Sequence, residues 1–177
     1  MRVITGTARG RKLVTPEGLD TRPTTDMVKE AIFSAIQFDV QGAKVLDLFA
    51  GSGQMGIEAL SRGAASCVFI DNAKNALDCI RGNVKACGFD DKSMVFPLDS
   101  YSYIKSGIEK FDIIILDPPY NEGNLQKLLP FISAVCNENA LIVCEHEPKC
   151  PLYDEYDGIA LKKRYKYGKI EVSIYKA

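Results

Sequence analysis

The stretch KVLDLFAGSGQMG, residues 44–56, decides the fold. Its first half is a short run of Val, Leu and Phe of the kind that fills a strand buried on both faces. Its second half is a literal G-x-G-x-x-G, Gly51 to Gly56, and the segment that follows has the length and apolar content of a helix. Glycines between a strand and a helix let the chain turn tightly and bring a ligand up to the peptide groups and the helix N-terminus. A merely tight strand-to-helix turn uses similar letters, but this setting favours ligand binding.

Working outward, the same alternation repeats. SCVFID (66–71), SMVFPL (93–98), DIIILD (112–117) and NALIVCE (139–145) are short runs separated by helix-length segments. Continuous apolar strands alternating with helices predict an α/β fold, a mostly parallel sheet covered on both faces. GKIEVSIYK (168–176) differs, setting Ile170, Val172 and Ile174 against Glu171 and Ser173, as a half-exposed or antiparallel edge strand would. Upstream, VIT and RKLVT around the turn-rich GTARG suggest a small β-hairpin, and Thr24 or Thr25 can cap a helix running to about Phe38. With 177 residues and no break in composition, residues 1–177 read as one domain. Residues 1–22 are the hairpin extension and 23–177 a Rossmann-like core.

The balance of 46% hydrophobic and 25% charged residues excludes disorder and fibre. No apolar run approaches the ~18–20 residues of a bilayer span, and the N-terminus lacks a secretory core, so a cytoplasmic protein without a membrane partner is expected. Six cysteines without a C-x-x-C pair read as reduced residues, mostly in the core, with neither disulfide nor metal. His146 is the single histidine, which excludes multi-histidine metal sites. A monomer is expected.

Two ligands compete for the glycine turn, a dinucleotide such as NAD and S-adenosylmethionine. Asp71 suits both, because a carboxylate at the end of the second strand can accept hydrogen bonds from ribose hydroxyls. Asp47 separates them. A carboxylate just before the turn repels a pyrophosphate and attracts the ammonium and sulfonium of S-adenosylmethionine. The alternative for Asp47 is a carboxylate that caps the helix.

A second motif, Asp117-Pro118-Pro119-Tyr120, closes the fourth strand at the sheet edge where open α/β folds place ligands. Pro119 drives Pro118 out of the helical region and so fixes the Pro118 carbonyl. An exocyclic amine of a nucleobase has two N–H donors, which the Asp117 carboxylate and that carbonyl can accept while Tyr120 stacks on the ring. An ordinary strand-to-loop turn is the bland alternative.

Charge is segregated. The net charge is −1, yet residues 1–22 hold five cations (Arg2, Arg9, Arg11, Lys12, Arg22) against two acids, and residues 161–177 hold six against one. Basic ends of this kind are a candidate footprint for a polyanion, or simply a solvated surface. Tyr165 and Tyr167, interleaved with Arg164 and Lys166, favour nucleic acid.

RVITGTARGRKL, RPTTDMVKEAIFSAI (22–36), LDLFAGSGQMGIEALSRGA (46–64), FID (69–71) and DPPY (117–120), in that order, resemble the bacterial methyltransferases that modify a guanine N2 in small-subunit ribosomal RNA. The resemblance implies a seven-stranded methyltransferase sheet with the last strand pair reversed, after a hairpin extension that contacts RNA through Arg2, Arg9, Arg11, Lys12 and Arg22. It implies S-adenosylmethionine as cofactor, with Asp47, Gly51 and Gly53 at its amino-acid end, Asp71 at its ribose, Asp99 at its adenine and Thr24 nearby. Asp117, Pro118 and Tyr120 then hold the guanine, on free RNA or within an assembled subunit. Asp99 could equally cap the helix beginning near Ser100. DPPY alone is shared with adenine-N6 methyltransferases, which with an NAD-dependent oxidoreductase and a binding module without catalysis stand as alternatives.

Overall fold

The computed structural model describes residues 1–16, 25–120 and 122–177. In chain order its elements are α1 (Asp26–Ala35), β1 (Lys44–Leu48), α2 (Gln54–Ser61), β2 (Ser66–Asp71), α3 (Lys74–Cys87), β3 (Ser93–Pro97), α4 (Ser100–Ser106), β4 (Phe111–Leu116), α5 (Asn124–Leu128), β5 (Cys136–His146), β6 (Glu155–Tyr156), β7 (Ile159–Tyr167) and β8 (Ile170–Lys176). A 3₁₀ segment, Leu129–Val135, links α5 to β5.

The strands form one sheet in the order β3-β2-β1-β4-β5-β8-β7-β6. β1 to β5 pair in parallel, and β8 runs antiparallel to both β5 and β7. Apolar runs such as Val45, Leu46 and Leu48, none of them exposed, demand cover on both faces. Val28, Ile32 and Phe33 of α1, Ile57 and Leu60 of α2 and Ile80 of α3 cover one face, together with Val3 and Leu13 of the N-terminal segment. Ile104 of α4, Leu125 and Leu128 of α5 and Ile132 of the 3₁₀ segment cover the other. From β1 the chain winds outward to β2 and β3, then returns to the other side of β1 with β4 and β5. The strand order therefore reverses between β1 and β4, and in such sheets ligands bind at the carboxyl ends flanking that reversal.

Two expectations need correcting. The KIEV strand is antiparallel as read, but β8 lies inside the sheet, because Ile159–Tyr167 forms β7 outside it. The basic run, which the sequence left open between a polyanion footprint and a solvated surface, is part of that strand, and its Tyr165 and Tyr167 pack against the core. The two-residue β6 adds an eighth strand at the edge. The hairpin shrinks to one antiparallel bridge, Arg2 with Lys12. Val3 and Gly10 N–H pair within the loop, with the Arg11 and Val3 carbonyls at 2.9 Å, but part of its backbone is met from outside. The Glu58 carboxylate accepts from the N–H of Ile4 (2.8 Å) and Thr5 (3.0 Å), and the Ser61 carbonyl accepts from that of Thr7 (2.9 Å).

The clamp beneath this loop is ionic. Lys29 Nζ donates to the Arg2 carbonyl at 2.6 Å and lies 3.4 Å from Glu58 Oε2, while Arg62 Nε donates to Glu58 Oε1 at 2.8 Å. The Lys29 and Glu58 side chains are unexposed. Burial lowers the Lys29 pKa, against the opposing pull of Glu58.

Candidate active site

Register places the parts of the site abreast. Leu48 of β1 pairs with Ile70 of β2 on one side and Leu116 of β4 on the other, and Leu116 pairs with Cys144 of β5. Asp71, the glycine turn, Asp117 and Glu145 therefore line one carboxyl edge in that order.

Asp47 is buried in β1, and its Oδ2 accepts the Gly56 N–H at 2.8 Å. Gly56 is the third residue of α2, so this carboxylate supplies the cap that Gly53, at the N-cap, has no side chain to give. The capping alternative for Asp47 is thus realised. Burial, partly offset by the Gly56 N–H and reinforced by Asp71, raises its pKa from 3.8 to about 7. Gly51 and Gly53 have φ of +56° and +75°, which glycine adopts without strain. Phe49 also lies at a positive φ, 62°, at the tip of β1. For a bulky side chain that conformation is unusual and is characteristic of functional turns.

Asp71 holds the glycine turn itself. Its Oδ2 accepts the Gly51 N–H and its Oδ1 the Ala73 N–H, both at 2.9 Å. A carboxylate has about four acceptor positions, so ribose hydroxyls can still be served. Asp99 is the N-cap of α4 and its Oδ2 accepts from the backbone N–H (2.9 Å) and hydroxyl (3.0 Å) of Ser102. Capping accounts for Asp99 as placed. Thr24 and Arg22 lie outside the described residues, and Thr25 is the residue that caps α1, accepting from Val28 N–H at 3.3 Å.

Sequence reasoning missed two residues here. Asn83 of α3, buried, donates to the carbonyls of Ser52 and Val14 at 2.9 Å, tying the N-terminal segment to the glycine turn. Gln54, the first residue of α2, is buried, and among the described residues its Oε1 meets no hydrogen-bond partner. A helix pattern gives no sign of either, since both depend on what the fold brings opposite them.

At β4, Pro118 is buried and Asp117 and Tyr120 are half-buried. Tyr120 donates its hydroxyl to Glu145 Oε1 at 3.1 Å. Burial first, then the carboxylates of Glu145 and Asp117, drive the phenol pKa upward, so Tyr120 stays a neutral donor. A cavity of about 20 Å³ lies between Pro118, Tyr120, Leu125, Glu145 and His146. That is space for one water. A base would therefore sit across its mouth. His146 is buried, its Nδ1 3.0 Å from the Glu147 carbonyl and its Nε2 2.8 Å from Ser173 Oγ. With Nδ1 protonated both contacts are satisfied, and the residue ties β5 to β8.

Arg2, Arg9, Arg11 and Lys12 are exposed on the N-terminal loop, with Arg2 paired to Asp26 at 3.0 Å. Arg2, Thr5, Arg9 and Gly10, with Glu30 of α1, line a groove of about 440 Å³. The six cysteines are free thiols, with Cys67, Cys136 and Cys144 buried and the other three partly exposed. No described helix is long and apolar enough to cross a membrane.

A doubly wound sheet with a reversed last strand, an acid-flanked glycine turn at its switch point and an adjoining DPPY loop define an S-adenosylmethionine-dependent methyltransferase of Rossmann-like fold. The residues fit that cofactor's cationic amino-acid end: the buried Asp47 carboxyl and the orphaned Gln54 Oε1 are both acceptors beside the turn. The chain belongs to the family described as conserved hypothetical protein 95, whose model matches residues 1–176. YlbH of Bacillus subtilis is 39% identical, covering 99% of this chain and 98% of its own. Ribosomal RNA small subunit methyltransferase D of Escherichia coli K12 is 32% identical over 83% of this chain and 75% of its own. The solved structure of Escherichia coli yhhF superposes with a TM-score of 0.89 at 30% identity, covering 99% and 97% of the two chains.

Proposed function

We propose that this protein transfers a methyl group from S-adenosylmethionine to the exocyclic N2 amine of a guanine in small-subunit ribosomal RNA. The observation that carries this reading is the Leu48–Leu116 pairing, which sets the glycine turn and the DPPY loop side by side. The relatives named ribosomal RNA small subunit methyltransferase D support RNA as the substrate class.

S-adenosylmethionine, when bound, would supply a methyl group on a positively charged sulfur, a good leaving group for displacement by the amine lone pair. Asp47 and Gln54 hold the ammonium of the cofactor's amino-acid tail, with Gly51 and Gly53 allowing close approach, and Asp71 holds the ribose. Asp99, whose Oδ2 caps α4, meets the adenine amine through its Oδ1, with Thr24 nearby. Asp117 and the Pro118 carbonyl accept the two N–H bonds of the target amine, and the Asp117 carboxylate receives the proton that the methylated nitrogen sheds. Tyr120 stacks on the base. Alignment of this kind lowers a barrier by about 7–11 kcal/mol. A base in a paired helix cannot reach the loop, so the target is unpaired or flipped out. Arg2, Arg9, Arg11, Lys12 and Arg22 contact phosphates on the N-terminal side.

The test is transfer of a labelled methyl group to small-subunit ribosomal RNA and to assembled small subunits, followed by nucleoside digestion. N2-methylguanosine is expected. N6-methyladenosine would overturn the base assignment, and no transfer the reading as a whole. If about six phosphates are engaged, RNA affinity drops about a thousandfold between 50 and 200 mM salt.

A further inference from the structure

We infer that Lys163, Tyr165 and Tyr167 on β7 form a stacking platform for the single-stranded nucleotides flanking the target base. The inference rests on the RNA reading above and extends its footprint to a strand on the far side of the acceptor loop.

Register brings this stripe to the catalytic edge. β7 points the same way as β4 and β5, since β8 is antiparallel to both of its neighbours. Glu145 pairs with Val172, and Val172 with Tyr165. Leu116 pairs with Cys144, so the next positions, Asp117 and Glu145, stand abreast. Asp117, Glu145, Val172 and Tyr165 thus form one row across four strands. At about 4.8 Å between strands the row spans about 14 Å. About four stacked nucleotides at 3.4 Å each cover that length, and fewer in an extended strand.

The chemistry of the stripe suits bases and phosphates together. The Tyr165 and Tyr167 rings lie 6.3 Å apart at 17°, nearly parallel, and Lys163 Nζ sits 5.1 Å from the Tyr165 ring centroid. Both tyrosines are half-buried, resting on the cluster that contains Ile115, Val143 and Val172, so the rings are held in place yet reachable. Lys163 shares their face, Lys169 follows in the turn to β8, and Arg164 and Lys166 alternate to the opposite face of the strand, where Arg164 Nε donates to Ser173 Oγ at 3.1 Å. Glu171 is 3.9 Å from Lys166, and Arg164 is 3.8 Å from Asp154. β6 pairs only with Ala160 and Ile159. Beyond them the outer edge of β7 meets no other strand among the described residues. Lysines alone would serve to guard an open edge against pairing with another chain. Aligned rings add nothing to that task, whereas base stacking on aromatic side chains is how proteins hold single strands without reading sequence.

The experiment measures methyl transfer to small-subunit ribosomal RNA by three forms of the full-length protein. These are the unaltered chain, the double variant Tyr165→Leu/Tyr167→Leu, which keeps apolar bulk against the core, and the double variant Lys163→Glu/Lys169→Glu. Both variants should raise KM for RNA at least about tenfold, leaving kcat at saturating RNA and the Kd for S-adenosylmethionine unchanged. Should the leucine variant unfold, the charge-reversal pair still reads the stripe, because both lysines are exposed. An unchanged KM in either folded variant, with the unaltered protein active, overturns the stripe and leaves the RNA reading standing. Absence of transfer by the unaltered protein overturns both.

Discussion

Tyr120 Oη lies 3.1 Å from Glu145 Oε1, a hydrogen bond from the acceptor loop to the tip of the neighbouring strand β5. Glu145 is only 4% exposed, so the bond anchors a half-buried ring to a fixed point of the sheet. Tyr120→Phe keeps the ring and loses the anchor. Hydrogen bonds to charged groups contribute about 1.5–3 kcal/mol. If that energy orients the ring, kcat falls roughly ten- to a hundredfold while the cofactor Kd holds. Glu145→Gln, which retains an acceptor, should cost less than Tyr120→Phe. Steady-state kinetics on RNA decides, and a Tyr120→Phe enzyme of full activity shows that the ring needs no anchor.

Asp47 makes cofactor binding depend on pH. Its folded carboxyl titrates near pH 7, well above the ordinary 3.8, because burial disfavours the charge. A folded pKa above the unfolded one means that between about pH 4 and pH 7 the folded state holds the extra proton, so this group's contribution to stability declines as pH rises across that window. A cationic ligand favours the ionised form and must displace the proton. Affinity for S-adenosylmethionine should therefore weaken below pH 7, by up to about tenfold per pH unit, and level off above pH 8. Calorimetry at pH 6 in buffers of differing ionisation enthalpy should register close to one proton released, and Asp47→Asn should abolish the effect. No proton release at pH 6 would mean that the ammonium does not meet Asp47.

The parallel core and the two motif-bearing tips were legible because β1, β2 and β4 are buried on both faces, which leaves an unbroken apolar run, and because Gly51 and Gly53 take the positive φ that favours glycine while the two prolines after Asp117 fix their own φ. β7 was not legible. Five cations in Lys162–Lys169 mask the tyrosines on its inner face, and the register shifts between Leu161 and Lys163, which breaks the alternation. The N-terminal loop misled for a related reason: its turn signals are real, but Glu58 and Ser61 of α2 meet backbone groups that a ladder would otherwise pair. Glu145, Asn83 and Gln54 acquire their roles only from what stands opposite them.

The Lys29–Glu58 pair holds that loop and should dominate its stability. Removing one partner of a buried ion pair strands the other charge, at a cost of about 3–5 kcal/mol. Glu58→Ala is expected to be worse than Lys29→Met, because it also strands the N–H groups of Ile4 and Thr5 as well as Arg62. The double variant Lys29→Met/Glu58→Leu should recover part of the loss. Urea unfolding of the three variants gives the order. Equal losses from the two single variants would show that the backbone contacts of Glu58 contribute nothing.

Gly56 links the cofactor turn to the sheet by closeness alone. A Cβ there would stand 2.4 Å from Phe69 Cε1 and 2.6 Å from Cys67 Sγ on β2. In a free helix alanine is favoured over glycine by about 1 kcal/mol, so any destabilisation by Gly56→Ala measures the contact with the sheet. Overpacking of this kind costs about 1–3 kcal/mol. α2 must move away from β2, and the Asp47 to Gly56 hydrogen bond, 2.8 Å, must lengthen with it. The variant should therefore lose both stability and cofactor affinity. Phe69→Leu in the same chain relieves the ring contact and should restore part of each. A Gly56→Ala protein with unaltered Kd for S-adenosylmethionine would separate the packing of α2 from the geometry of the turn.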